Sequence, residues 1–169
     1  MIVSMKVLFL ALLALRGSLC FSFALGSRGV RRSARAALRL SDEPCIDIRK
    51  APGDPSLILT TNVKLDDKAG FVAAASAAVA QALSKPEAYV AICVTDNCDG
   101  MSFGGTMDPC AVGCVYSIGQ INQENNAALT AAVSVLLEKH GGVANNRIYI
   151  NFFDVPRANC GWSGRTFAG

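Results

Sequence analysis

The chain has 169 residues, of which 51% are hydrophobic, so it is long enough and apolar enough to form a globular core and is not a disordered polypeptide. Its formal net charge of +3 is unevenly distributed, because residues 1–43 carry a net charge of +5 and residues 44–169 carry −2. Since the larger part has no excess of basic residues, we expect no nucleic-acid partner.

The first 43 residues have the character of a targeting leader, with an apolar run first and a basic stretch after it. Lys6 precedes the apolar residues 7–15, a run with the length of a signal-peptide core that is too short to span a bilayer. Small residues suited to cleavage follow near Cys20, so we predict a signal peptide over about residues 1–20. A membrane anchor or a buried helix is the alternative, but the length of the run favours a signal peptide and no stable membrane span.

The rest of the leader is rich in Arg, Ser and Ala and has no acidic residue before Asp42, which is typical of transit peptides. A signal peptide followed by a transit-like segment resembles the two-part leaders of proteins sent to plastids of secondary origin. A secreted protein with a basic pro-segment is the alternative. We therefore expect the chain to enter the secretory pathway and to reach either such a plastid or the extracellular space.

The body of the chain begins with a predicted strand–helix–strand unit. Residues 57–63 combine a continuous apolar run with β-branched residues, which predicts a short buried strand. A helix is predicted over roughly residues 66–83, with Asp66 or Asp67 as its N-terminal cap, and residues 89–94 form the second strand. Such a crossover favours parallel pairing of the two strands. The predicted apolar face of the helix consists of Phe71, Ala75, Ala78, Val79 and Ala82.

The same pattern then occurs a second time. Residues 115–118 are predicted to form a short strand, a helix runs from Asn122 to about His140, and residues 147–153 form the last main strand. Gly141 and its neighbour Gly142 end this helix. Its predicted apolar face consists of Leu129, Ala132, Val133, Leu136 and Leu137.

This repetition predicts an α/β (α+β) fold in which duplicated βαβ units form a four-stranded mixed sheet with two helices on one face. The other face of the sheet, rich in Ile, Val and Phe, would be left open to water in a single chain. We therefore expect an oligomer in which the sheets of several copies pack against each other.

Several short blocks in the body occur in a characteristic order. They are Pro55 seven residues before Asn62, Lys85-Pro86 before Tyr89, Ser102-Phe103-Gly104-Gly105, Ser117-Ile118-Gly119, Arg147-Ile148-Tyr149-Ile150-Asn151, and Gly161-Trp162 followed by Thr166-Phe167-Ala168. Together these blocks resemble the macrophage migration inhibitory factor and D-dopachrome tautomerase family of the tautomerase superfamily. The resemblance implies a homotrimer of duplicated βαβ units with pockets at the subunit interfaces. It also implies keto–enol interconversion of phenylpyruvate-type acids and isomerisation of dopachrome, with no cofactor.

Keto–enol chemistry requires a base that works near neutral pH and groups that stabilise developing negative charge on oxygen. The resemblance implies that an N-terminal proline is this base, at Pro55 by spacing. It further implies that Lys85 and the backbone amide of Ile118 bind the substrate carboxylate, and that Tyr149 and Asn151 of a neighbouring subunit donate hydrogen bonds. From the residues alone, a solvated lysine at a helix end and a tyrosine packed on a strand are the more common roles, and the resemblance reverses this preference. The aromatic residues implied to line the pocket are Tyr89, Trp162 and Phe167.

A second proline competes with Pro55 as the first residue of the mature chain. Pro44-Cys45-Ile46 resembles the opening of plant members of the family, but Pro44 lies 18 positions before Asn62, whereas Pro55 has the family spacing. Either residues 49–59 are an insertion behind a start at Pro44, or the chain is cleaved immediately before Pro55. We favour Pro55 because it has the family spacing, and we retain Pro44 as the alternative. A mature chain that begins at any other residue would have no prolyl amine to act as the base, because an internal proline has no basic nitrogen.

The cysteines and the histidine indicate neither redox nor metal chemistry. Cys110 and Cys114 are one residue too far apart for the Cys-x-x-Cys pair of some family members, so we predict no thioredoxin-like function. Cys93 lies in a predicted strand and is expected to be a small buried apolar residue, although a disulfide with Cys98 stays open. His140 is the only histidine and no Cys spacing matches a zinc site, so we expect no metal.

We therefore predict a cofactor-free tautomerase of aromatic 2-oxo acids, which is an intramolecular oxidoreductase of the phenylpyruvate tautomerase or L-dopachrome isomerase type. The alternative is a secreted cytokine-like binding protein with vestigial activity, whose partner would be a receptor. The predicted division of the chain is a leader over residues 1–43, a linker or insertion over 44–54, and a tautomerase domain over 55–169. The physiological substrate and the final compartment are left open by the sequence.

Overall fold

A computed structural model describes residues 49–169, which form two βαβ units sharing one mixed four-stranded sheet. The predicted signal peptide, the transit-like segment and Pro44 lie outside the described residues. The first unit consists of β1 (Ser56–Thr61), α1 (Lys68–Ala82) and β2 (Ala91–Thr95). The second consists of β3 (Ala111–Ser117), α2 (Gln123–Gly141) and β4 (Ile148–Asp154). A hairpin of β5 (Gly161–Trp162) and β6 (Arg165–Thr166) follows, and single 3-10 turns occur at Glu87–Tyr89, Asn145–Arg147 and Arg157–Asn159.

The sheet topology confirms the predicted duplication. β1 pairs in parallel with β2, β3 pairs in parallel with β4, and β1 and β3 join the two units as an antiparallel pair. The strand order is therefore β2-β1-β3-β4, with β1 and β3 in the centre. Residues 56–59 lie in β1 and pair with strands on both sides.

Both long helices begin at the predicted capping residues. The Asp67 side chain accepts a hydrogen bond from the Gly70 backbone N–H at 2.9 Å, and Asn122 accepts one from Asn125 at the same distance. α2 ends at Gly142, whose φ of +65° lies in the left-handed region that favours glycine. In the part of the chain described here, neither helix is both long and apolar enough to cross a membrane.

The hydrophobic core lies between the sheet and the two helices. The predicted helix faces supply most of it, although Ala78, Ala82 and Leu136 are only partly buried at its edge. Ala132 is also partly buried and is not one of the core residues. Because the side chains of these faces recur at helical spacing, each helix presents one continuous apolar stripe to the sheet. The fully buried side chains from the helices are Phe71, Ala75, Val79, Leu129, Val133 and Leu137, and they pack on Leu57, Leu59 and Val115 of the sheet.

Strand β3 begins at Ala111, four residues before the predicted strand start at Val115. The difference arises at Gly113, because glycine is unfavourable in most strands and hides the strand pattern. Here a Cβ atom on Gly113 would lie 3.0 Å from the Leu59 Cδ1 atom. Glycine therefore permits the close packing of the Leu59 side chain on the backbone of β3.

The face of the sheet opposite the helices is uncovered in the single chain. Ile58 of β1 is 48% exposed and Val112 of β3 is 39% exposed. On β4, Tyr149 is 64% exposed and Phe153 is 45% exposed. A set of large apolar side chains in this position is unusual for a monomer and indicates a surface that another chain covers. We call this surface the open sheet face.

Cys93 also lies on the open sheet face, so the prediction that it is buried is wrong. The reason is the alternation of side chains along β2, in which Ile92 and Val94 point towards the helices and pack at the core. Among residues 49–169, all five cysteines are free thiols.

Candidate active site

Pro55 lies at the beginning of β1, where three strands of the sheet meet. Its backbone carbonyl accepts a hydrogen bond from the Ala91 N–H at 2.9 Å, and the next residue, Ser56, is paired with Ala91 and Tyr116. Pro55 is therefore held between the beginning of β2 and the end of β3, and it is buried. In the continuous chain its nitrogen is part of the peptide bond to Asp54 and is therefore not basic.

Lys85 reaches the same end of the sheet from the turn that follows α1. Its Nζ donates a hydrogen bond to the Ile118 carbonyl at 2.8 Å and another to the Pro52 carbonyl. Burial lowers the pKa of the Lys85 amine and the nearby Arg157 guanidinium lowers it further, while Asp54 and Asp154 act in the opposite direction. Lys85 is therefore a partly desolvated cation that binds oxygen atoms at the end of β3.

Three aromatic rings form a wall beside Lys85. The rings of Trp162 and Phe167 are stacked, with centroids 5.8 Å apart and planes 12° apart. Tyr89 lies 5.7 Å from Trp162, and Ile118 packs against the buried Phe167. The β5–β6 hairpin carries Trp162 and Arg165 on a tight turn and so brings residues near the C-terminus next to the end of the sheet. One chain therefore assembles Pro55, Lys85, Ile118 and the predicted aromatic wall.

Tyr149 and Asn151 lie elsewhere in the single chain. Both are exposed on the open sheet face of β4, which is separated from β1 by β3. The ring of Tyr149 packs on Phe103, with centroids 4.7 Å apart. Arg147 holds this part of the molecule together, because its guanidinium bonds the Pro109 carbonyl at 2.9 Å and lies 5.5 Å from the Phe103 ring. The two residues are thus available to a neighbouring chain and are not brought to the pocket of their own chain.

Arg157 is a site residue that the sequence did not reveal. It lies in the 3-10 turn after β4, where its Nε donates to the Phe167 carbonyl at 3.2 Å and its guanidinium lies 5.7 Å from the Phe167 ring. A second nitrogen donates to the Ala51 carbonyl at 3.1 Å. The only sequence signal was its place just before the Gly161-Trp162 block, in a stretch that matched no family block. The pocket therefore has two cationic side chains, Lys85 and Arg157.

Cys160 is next to this cluster, and its thiol is poorly suited to reaction. Burial and the neighbouring Asp54 carboxylate raise the pKa of the Cys160 thiol to about 11. We therefore expect iodoacetamide to alkylate Cys160 at about pH 8 roughly tenfold or more slowly than free cysteine, because less of it is thiolate. Timed alkylation of protein that begins at Pro44, followed by peptide mapping, measures this rate.

The matched control for this prediction is Asp54→Asn in the same protein. Removing the carboxylate lowers the pKa of the Cys160 thiol, so its alkylation should become faster while that of Cys98 stays the same. A pH profile for Cys160 that is centred near the ordinary value of about 8.5 would contradict the prediction.

In the described part of the chain, no three His, Cys, Asp or Glu side chains are grouped so that they hold a metal ion. The arrangement at the end of the sheet is instead a set of two cations, a proline and three aromatic rings. Such a set is chemically suited to an anionic or carbonyl-containing ligand that carries an apolar or aromatic group.

Comparison with known proteins matches the part of the chain that contains this site. The sequence profile described as macrophage migration inhibitory factor (MIF) matches residues 54–168. The MIF of Rattus norvegicus is 37% identical over 115 residues, which is 68% of this chain and 99% of that protein. The chain belongs to the MIF family. This family is part of the tautomerase superfamily, and the site residues described above all lie within the matched MIF region.

Solved structures of MIF proteins share the fold. The MIF homologue of Prochlorococcus marinus has a TM-score of 0.63 at 30% identity, and the match covers 66% of this chain and 98% of that one. The MIF of Trichinella spiralis has a TM-score of 0.61 at 36% identity, with the same coverage of 66% and 98%. The match therefore spans nearly the whole length of both MIF chains.

Proposed function

We propose that the chain is a cofactor-free tautomerase of aromatic 2-oxo acids once Pro55 is its first residue. The observation that carries this proposal is the position of Pro55 in a chain of the MIF family, buried at the start of β1 and three residues after the Pro52 carbonyl that Lys85 binds. The match to the MIF profile begins one residue before Pro55, which supports Pro55 over Pro44 as the mature start. We further propose that the leader directs the chain into the secretory pathway.

The proposed chemistry follows from the groups at this end of the sheet. Lys85 binds the carboxylate of the substrate, and the rings of Trp162 and Phe167 contact its aromatic group. The free Pro55 nitrogen takes a proton from the carbon beside the keto group, and the protonated amine then gives a proton to the keto oxygen, which completes the enol and restores the free base. An α-amino group titrates at about 8 in water, and burial in apolar surroundings lowers the pKa of such an amine. Pro55 is thus expected to be an unprotonated base near neutral pH.

The proposed active form is a homotrimer. The open sheet face supports self-association, because Ile58, Val112 and Phe153 are too apolar to stay in contact with water in three separate chains. Tyr149 and Asn151 lie on this face, outside the pocket of their own chain. In the oligomer, their side chains would donate hydrogen bonds to a substrate in the pocket of a neighbouring chain. The pocket is accordingly proposed to be complete only in the oligomer.

The test of the proposed substrate is Lys85→Met in protein that begins at Pro55. We expect KM for phenylpyruvate to rise about tenfold to hundredfold, because a charge-assisted hydrogen bond to the carboxylate is lost, while kcat changes less. The change in KM dominates because the carboxylate is bound equally in the ground state and the transition state. Turnover is followed through the ultraviolet absorbance of the enol.

Lys139→Met is the matched control, since Lys139 is exposed in the last turn of α2 and lies outside the pocket. It should leave both kinetic constants unchanged. If KM of Lys85→Met equals that of the unsubstituted protein, Lys85 does not bind the carboxylate. If protein that begins at Pro55 binds phenylpyruvate without turnover above the buffer rate, the site is a binding site and the enzyme proposal fails.

A further inference from the structure

The pocket beside Pro55 already has an occupant, which is the chain's own residues 51–54. We call these residues the pocket segment. Ala51 is only 4% exposed and forms a small buried cluster with Phe167, against which Tyr89 and Ile118 pack. These are the side chains that would contact the aromatic group of a substrate. The pocket segment and an aromatic ligand therefore cannot occupy this space together.

The polar groups of the pocket are also used by the pocket segment. Lys85 donates to the Pro52 carbonyl, and Arg157 donates to the Ala51 carbonyl at 3.1 Å. Two cationic side chains thus bind two successive backbone carbonyl oxygens. A 2-oxo acid presents the same kind of group, a carboxylate next to a carbonyl oxygen, so the pocket segment resembles it in the arrangement of its oxygen atoms.

Gly53 fits the pocket only because it is glycine. Its φ of +92° lies in the region that favours glycine, and a Cβ atom on this residue would lie 2.7 Å from the Ile118 Cβ. The backbone of the pocket segment is therefore in direct contact with the end of β3. Any larger residue at this position would force the segment out of the pocket.

The pocket segment is nevertheless held imperfectly. Asp54 Oδ1 is buried and has no hydrogen-bond partner among residues 49–169. A buried carboxylate oxygen without a partner costs free energy, and the only side-chain hydrogen bond described for the Asp54 carboxylate is with the weakly donating Cys160 thiol. Residues 51–53 of the segment precede the region that matches the MIF profile, and only Asp54 lies within that region. The MIF fold as such does not require it.

We infer that the pocket segment is an autoinhibitory element that competes with the substrate, and that its removal opens the pocket and creates the Pro55 base together. The removal is a hydrolysis by a protease: water supplies a hydroxyl group to the Asp54 carbonyl carbon and a hydrogen to the Pro55 nitrogen. The peptide bond becomes a carboxylate and a secondary amine. Because Pro55 is buried, the segment leaves the pocket before this bond is cut. The substrate class rests on the proposed function, whereas the occupancy of the pocket does not.

The experiment compares three proteins: one that begins at Pro44, the same protein with Gly53→Val, and one that begins at Pro55. The first readout needs no ligand. It is the rate at which acetic anhydride acetylates Lys85, relative to the exposed Lys139, measured by peptide mapping. The second readout is phenylpyruvate binding, followed by fluorescence quenching of Trp162, the only tryptophan of the chain.

We expect Lys85 to be acetylated about tenfold faster in the Gly53→Val protein and in protein that begins at Pro55 than in the unsubstituted protein that begins at Pro44. The factor corresponds to a pocket that the segment blocks about nine-tenths of the time, because such a site reacts and binds about tenfold more weakly. Phenylpyruvate binding should strengthen by a similar factor. The Gly53→Val protein should still show no turnover, because its Pro55 nitrogen remains an amide.

Gly142→Ala in the protein that begins at Pro44 is the matched control. Gly142 has a φ of +65° and no atom within 4 Å of its Cβ position, so this change removes a left-handed glycine at the far end of α2 without affecting the pocket. Equal relative acetylation of Lys85 in all three proteins overturns the inference. Unblocking of Lys85 together with no turnover by protein that begins at Pro55 supports autoinhibition and refutes the proposed enzyme function.

Discussion

Protein that begins at Pro55 is expected to tautomerise phenylpyruvate about 100-fold to 10 000-fold faster than protein that begins one residue earlier, at Asp54. The two proteins differ by a single residue, and neither contains Ala51, Pro52 or Gly53, which fill the pocket in the longer chain. The residue that differs is Asp54, the last of the pocket segment, and its removal changes the Pro55 nitrogen from an amide that has no basic lone pair to a secondary amine that has one. The range is the contribution that a well-placed general base makes to a rate.

Intact mass spectrometry of both proteins confirms the first residue, and the enol absorbance of phenylpyruvate gives kcat/KM. Pro55→Gly at the same start is the second variant. It keeps a free amine but loses the ring that fixes its direction, so we expect most of the rate to be lost. Equal activity of the proteins that begin at Asp54 and at Pro55 would exclude the Pro55 nitrogen as the base.

The pH dependence gives a further check on the same group. A base acts in its unprotonated form, so kcat/KM should rise with pH and level off above the pKa of the Pro55 amine. Because apolar surroundings disfavour the protonated form, this pKa should lie below the value of about 8 for an α-amino group in water. A rate that keeps rising well above that pH would mean that the amine is exposed to solvent and is not held in the pocket.

The second large effect is expected from Ile58→Asp, which should convert the oligomer into monomers and abolish turnover. Ile58 lies on the central strand β1 in the open sheet face, 48% exposed in a single chain. An interface that covers this face would bury an unpaired carboxylate from each chain, at a cost of several kcal/mol per ion. Turnover is lost with the interface because Tyr149 and Asn151 then reach no pocket.

Val135→Asp is the control for this change, because Val135 is also a large exposed apolar residue, 63% exposed, but lies on α2. It should leave the mass unchanged. Light scattering after size-exclusion chromatography measures the mass of each variant, and circular dichroism checks that the fold is retained. If Ile58→Asp keeps the mass of the unsubstituted protein, the open sheet face is not the interface.

Local patterns in the sequence were sufficient to predict the secondary structure of the two units. The bounds of α1 and α2 agree with the prediction to within two residues, because Asp67 and Asn122 cap the helices through hydrogen bonds to residues only three positions away. The parallel pairing of β1 with β2 follows from the crossover helix between them. The misplaced start of β3 shows the limit of such patterns, since Gly113 is tolerated there only because the Leu59 side chain packs on it.

The site was predicted from the order of short family blocks, and the structure brings most of its members together in one chain. Lys85, Ile118 and Trp162 lie at one end of the sheet, while Tyr149 is exposed on the open sheet face. Cys93 was predicted to be buried because its strand is apolar throughout. The alternation along an edge strand decides otherwise, and no pattern in the residues themselves states which side the helices cover.

By itself, the sequence determined the order of strands and helices along the chain, the cap of α2 and the family resemblance, because each depends on short stretches of neighbouring residues. The choice of Asp67 over Asp66 as the cap of α1 came from the structure. Tertiary structure alone decided what fills the pocket. The hydrogen bond from Lys85 to the Pro52 carbonyl joins residues 33 positions apart, and the one from Arg157 to the Ala51 carbonyl joins residues 106 positions apart. Contacts of this kind depend on where the complete fold places each backbone oxygen, and no local periodicity encodes that position.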